Sequence, residues 1–125
     1  MSYLPKPELV ALRVLERIGA KSTPINLLKV AKLWTGLEVA EENIENEGYM
    51  IDLGIQGGEI IIRSQNIQTR KNYTLAHELG HWILKKEYAA REGYGENKNK
   101  NSSIERWCDQ FAAELLMPKD WLMRD

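Results

Sequence analysis

Thr74-Leu75-Ala76-His77-Glu78-Leu79-Gly80-His81 decides how this chain is read, because it holds both histidines of the sequence with a glutamate between them. Four residues of helix advance about 400°, so the two imidazoles point within roughly 40° of each other. They can converge on one tetrahedral ion, while Glu78 flanks the same face and can reach a water at that ion. This is the HExxH spacing of zinc hydrolases. The plainer alternative is an amphipathic helix whose histidines merely face core or solvent. Tyr73, Leu75, Ala76, Leu79, Trp82, Ile83 and Leu84 recur at helical spacing and predict a helix from about Gln68 to Lys86. Gly80 costs about 1 kcal/mol in a helix interior. It makes sense if a backbone or substrate must approach there, or if the helix packs tightly.

A catalytic zinc usually takes three protein ligands and a water. The longer pattern HExxHxxGxxH would place a glycine at Leu84 and a ligand at Glu87. Without that turn the helix continues and rotates Glu87 about 240° away from His81, which predicts a solvated surface acid. A later helix offers a better donor. Ser103 to Met117, stopped by Pro118, carries Ile104, Trp107, Cys108, Phe111, Ala112, Leu115 and Leu116 at spacings of three and four. Glu105 lies beside that stripe and Asp109 one turn further along. The spacing suits a zinc ligand followed by a carboxylate that accepts the outer N–H of a ligating histidine. The alternatives are a first-turn acid favoured by the helix dipole for Glu105 and a surface acid for Asp109. Cys108, on the stripe and the only cysteine, reads as a small core residue rather than a thiolate ligand. With no intrachain disulfide open to it, the chain fits a reducing compartment.

The block Thr74 to His81, Glu105, and the run Phe111-Ala112-Ala113-Glu114-Leu115-Leu116-Met117-Pro118 together resemble the ImmA/IrrE family of metallopeptidases over about the second half of the chain. The resemblance implies Zn2+ held by His77, His81 and Glu105, with Glu78 as catalytic base. Asp109 stands where many members have asparagine. Members are often encoded on phages or mobile elements beside a helix-turn-helix repressor, and some cleave or otherwise inactivate it. The implied function is a zinc-dependent endopeptidase acting on such a repressor. The alternative is a non-cleaving, zinc-containing module that titrates a repressor or toxin. Many relatives continue well beyond the Met-Pro, so this chain reads as a minimal or truncated member.

With 125 residues, 43% hydrophobic and 28% charged, the chain is expected to form one zincin-like domain over 1–125, large enough to bury a core without staples. No apolar run approaches a membrane span and the first residues lack a signal-peptide core, so a cytoplasmic protein without membrane contact is expected. Glu38, Glu41, Glu42, Glu45, Glu47, Asp52 and Glu59 fall in a stretch without Lys or Arg. That run is read first as a solvated face and second as an attraction for a basic partner.

The expected fold is α+β. Pro7 opens a first helix ended by Gly19. Thr23-Pro24 caps a second, which stops at Gly36. This second helix is mostly apolar and looks built to pack rather than to read DNA, so no direct nucleic-acid contact is expected. Leu37–Val39, Tyr49–Leu53 and Glu59–Arg63 are the expected strands of a small three-stranded sheet, the last two forming a hairpin. Glu59–Arg63 is the candidate edge for an extended substrate, with an interior strand as the alternative. The HExxH helix and the C-terminal ligand helix complete the fold. Between them, Tyr88 to Ser102 reads as a mobile connector or lid, within which Tyr88, Arg91 and Tyr94 are candidate oxyanion donors.

Overall fold

The computed structural model describes residues 4–88 and 102–122. Helix α1, Pro7–Ile18, begins with proline at its first turn and closes at Gly19, whose φ of 76° is the left-handed conformation that glycine adopts cheaply. Helix α2, Leu27–Val30, runs directly into a π-helical turn, Ala31–Thr35, and ends at Gly36. This start differs from the expected cap at Thr23. Asn26 is the cap instead, because its side-chain oxygen accepts the Lys29 N–H at 3.1 Å and satisfies one of the first-turn donors.

Strands β1 (Glu38–Glu42), β2 (Gly48–Asp52) and β3 (Gly58–Arg63) form one mixed sheet in the order β1-β3-β2. β3 runs parallel to β1 and antiparallel to β2. The expectation that Glu59–Arg63 forms an edge is therefore corrected: β3 is the central strand. Its run Ile60-Ile61-Ile62 is buried throughout, the composition of a strand covered on both faces rather than one. Ile60 and Ile62 join the main core, whereas Ile61 lies outside that cluster, as alternation across a strand requires.

Helix α3, Gln68–Glu87, lies against the sheet and carries the core residues Leu75, Ala76, Leu79, Ile83 and Leu84. Helix α4, Ser102–Leu116, packs on α3 and α1. The short α5, Lys119–Leu122, follows Pro118, and its first N–H is met by the Glu114 carboxylate at 3.1 Å. Trp107 and Phe111 stack at 5.4 Å, and the Trp107 indole donates to the Pro5 carbonyl at 2.6 Å. These contacts fix the rotation of α4. Among the described residues no helix is long and apolar enough to cross a membrane.

The acidic stretch meets α3. Glu41 pairs with Lys71 at 2.7 Å, Glu47 with Arg70 at 3.0 Å, and Asp52 with Lys85 at 2.5 Å and Lys86 at 3.2 Å. These three acids thus join sheet to helix rather than facing solvent alone. Lys85, with the Gly54 N–H, holds the Asp52 carboxyl far below the usual carboxylate range. A carboxyl depressed in the folded state stabilises fully above its unfolded value, and the contribution is lost as pH falls. Asp52→Asn is expected to cost about 1 kcal/mol at neutral pH, the scale of a partly exposed pair. In urea unfolding, the gap to wild type should narrow below the ordinary carboxylate value of 3.8.

Glu87 is the exposed acid that the helical rotation implies, and it is also paired. It accepts from the Arg13 guanidinium at 2.8 Å and the Trp34 indole at 2.7 Å. The helical rotation carries it away from His81, to a side where the Arg13 side chain of α1 and Trp34 of the π-helical turn reach it. Gly58 is demanded by crowding, since a Cβ there would stand 2.5 Å from the Ile51 carbonyl and 2.9 Å from Leu37 Cδ2. Gly58→Ala should lose about 2 kcal/mol of unfolding free energy, the scale of overpacking, read from the urea midpoint.

Candidate metal centre

α3 supplies three of the side chains at issue. His77 and His81, one turn apart, bring their Nε2 atoms to 3.2 Å. α4 supplies the fourth. Glu105 Oε1 lies 3.1 Å from His77 Nε2, and Oε2 lies 2.9 Å from His81 Nε2. The helix contact that permits this is Gly80. A Cβ there would meet Phe111 Cδ2 at 3.1 Å and Cys108 Cα at 3.5 Å, so the missing side chain lets α4 settle closely on α3. Glu105 is one turn before Cys108 and is carried to the imidazoles by that approach. Both the close approach of another backbone, at Cys108 Cα, and tight packing, against the Phe111 ring, are found at Gly80.

The donor set fits a metal ion. One atom from each of His77, His81 and Glu105 lies within 4.8 Å of the others. Zinc bonds of about 2.0–2.1 Å put tetrahedral ligand atoms about 3.3 Å apart, close to the separations seen. Two imidazoles and a carboxylate are borderline to hard donors, suited to zinc among several divalent ions. Cys108 is fully buried in the core, in keeping with a packing role.

Asp109 extends the arrangement outward. Its Oδ1 is 2.9 Å from His77 Nδ1, without the N–H alignment of a hydrogen bond. The same carboxylate accepts the Tyr73 hydroxyl. Burial first, and the Asp109 hydrogen bond second, push the Tyr73 phenol well above its ordinary value, so it stays a protonated donor. Tyr73 was absent from the sequence candidates because it counts equally well toward the apolar side of α3. Its signal was position: four residues before His77, it must stand on the same helix face. Asp109→Ala should weaken metal binding about 10- to 100-fold, the usual cost of losing the outer partner of a ligating histidine, measured by competition with a chromogenic chelator.

The cleft beside these residues has a volume of about 440 Å³. It is lined by Asn46, Glu47 and Gly48 at the start of β2, by Arg70, Tyr73, Thr74, His77 and Glu78 of α3, and by Asp109 of α4. Glu78 therefore faces the same space as His77. Tyr88 is elsewhere: it follows the end of α3, with the Arg13 guanidinium 5.8 Å from its ring centre. Arg91, Tyr94 and the rest of the expected lid, residues 89–101, lie outside the described residues.

The family model of the IrrE N-terminal-like domain, Peptidase M78, matches residues 35–123. The match extends the similarity beyond the two ligand-bearing helices to include the whole sheet. No curated protein matches the chain. With well over half of its length covered by that model, and with the His77, His81 and Glu105 cluster in place, the chain belongs to the IrrE N-terminal-like family of metallopeptidases.

Proposed function

We propose that this protein is a zinc-dependent endopeptidase whose substrate is a DNA-binding repressor of the helix-turn-helix type. The observation that carries the reading is the convergence of His77, His81 and Glu105 at 2.9–3.2 Å beside a cleft that Glu78 also lines. His77, His81 and Glu105 hold the ion, which supplies Lewis-acid activation of water and polarisation of a carbonyl when bound. Glu78 accepts the proton of the attacking water and delivers it to the leaving amine. Asp109 stands 2.9 Å from the outer nitrogen of the His77 ring, where it can restrain that ring once the ion is held, and Tyr73 donates its hydroxyl to Asp109. A purely structural ion would have no use for a base at Glu78, which favours cleavage over simple titration. The repressor substrate rests on the family resemblance carried by the two motif blocks.

The test is incubation of the protein with purified helix-turn-helix repressors, with zinc and after chelation. Zinc-dependent fragments with a single new N-terminus are the expected result. A stable complex without fragments would replace the peptidase by a titrating module.

A further inference from the structure

Arg70 stands on the face of α3 that carries the metal ligands. Arg70, Thr74 and His77 follow one another at helical spacing, and all three line the cleft. Seven residues of helix rise about 10 Å, so Arg70 lies two turns along the cleft from His77. Its guanidinium is held in place. Nε–H donates to Glu47 Oε1 at 3.0 Å and Nη2 to Oε2 at 3.4 Å, while Asn66 Nδ2 donates to the same Oε1 at 2.7 Å.

The two partners of this ion pair are unequally used. Both Glu47 oxygens accept, and the Arg70 hydrogen bond holds that carboxyl below its ordinary value. Arg70 has five N–H groups in a fixed fork. Two of them meet Glu47, and Nη1 makes no hydrogen bond among the described residues. The side chain is 61% exposed, so the unused donors are open to an acceptor that enters the cleft. The metal end carries the opposite charge. Glu78, Glu105 and Asp109 lie around the two histidines, three carboxylates against the double charge of a divalent ion. An acidic residue beside the scissile bond would meet like charge there, whereas one farther out would meet Arg70.

We propose that Arg70 is a specificity-determining residue, whose unused N–H groups bind the carboxylate of an aspartate or glutamate about three residues from the scissile bond. An extended chain advances about 3.3 Å per residue, so three residues span the two helical turns between His77 and Arg70. A guanidinium already held on one edge loses little freedom when its other edge takes a carboxylate, and its planar fork fits that group. The proposal rests on the peptidase reading for the identity of its ligand.

Peptide hydroxamates with blocked chain ends test it, because a hydroxamate chelates a divalent ion and its binding needs no turnover. One series continues from the metal as the residues before the scissile bond, the other as those after it. Each carries Glu, Gln or Lys at the first or the third residue. In one series, zinc-loaded wild type should bind the third-residue Glu probe about fivefold more tightly than its Gln counterpart, the upper end for a partly exposed ion pair. Lys there should bind more weakly still. The preference should vanish at about 1 M salt, where screening acts beyond about 3 Å. Arg70→Ala should abolish it and Arg70→Lys should keep part of it, a rescue that a purely structural role would not give. At the first residue, Glu should bind no better than Gln. Equal affinity for the three third-residue probes in both series, or tighter binding of Lys through Glu47, would overturn the role of Arg70 and leave the peptidase intact. An acid preference that survives Arg70→Ala would overturn it as well. Tighter binding of Glu that Arg70→Ala abolishes, from a protein that cuts no polypeptide, would support the role of Arg70 and remove the peptidase.

Discussion

Glu78→Gln is expected to abolish most hydrolysis while leaving the metal in place. The amide keeps the size and hydrogen-bonding reach of the carboxylate but cannot accept a proton from water. General base catalysis of this kind contributes about 10²–10⁴-fold to a rate, and the loss should appear in kcat. Zinc content should be unchanged, because the donor cluster consists of His77, His81 and Glu105 without Glu78. Turnover of an unfolded protein substrate and metal analysis of the same preparation check both halves. A variant that cuts as fast as wild type would remove Glu78 from the chemistry.

Glu105→Ala should do the reverse and strip the site of its metal. Glu105 is the only donor of the cluster that comes from outside α3, so its removal leaves two imidazoles on one helical turn. If three ligands share a binding free energy of roughly 10 kcal/mol, losing one weakens zinc by at least about a hundredfold. The fold should survive, since the Glu105 side chain is partly exposed and α4 is held by Trp107, Cys108 and Phe111. Added zinc therefore should raise the melting temperature of wild type and not that of Glu105→Ala, because only a ligand that binds the native state shifts the equilibrium. Equal zinc affinity in the two proteins would exclude Glu105 as a ligand.

Local signals in the chain carried much of this arrangement. The apolar periodicity of Leu75, Leu79 and Ile83, and of Ile104, Trp107 and Phe111, placed α3 and α4 to within a residue or two. The i,i+4 geometry of His77 and His81 needed no tertiary information. Glu105 was reachable because a helical stripe determines which flanking positions stand beside it. What stayed hidden was set by distant partners. The order β1-β3-β2 depends on pairings between residues about twenty apart, such as Glu38 with Glu59, and no local pattern separates it from a simple meander. The isoleucine run of β3 was the one available hint that this strand is central. Glu87 is the surface acid its position implied, but its partners, Arg13 and Trp34, come from other elements and leave no local trace. Tyr73 was hidden by chemistry: its ring counts toward the apolar surface while its hydroxyl serves Asp109.

The central claim is that one ion is held by two imidazoles from α3 and a carboxylate from α4. X-ray absorption at the zinc edge of the reconstituted protein tests it most directly. The account predicts a first shell of nitrogen and oxygen alone at about 2.0–2.1 Å, with the outer-shell scattering of two imidazoles. A sulfur contribution at about 2.3 Å, which only Cys108 or a methionine could supply, or the absence of paired imidazole scattering, would contradict it.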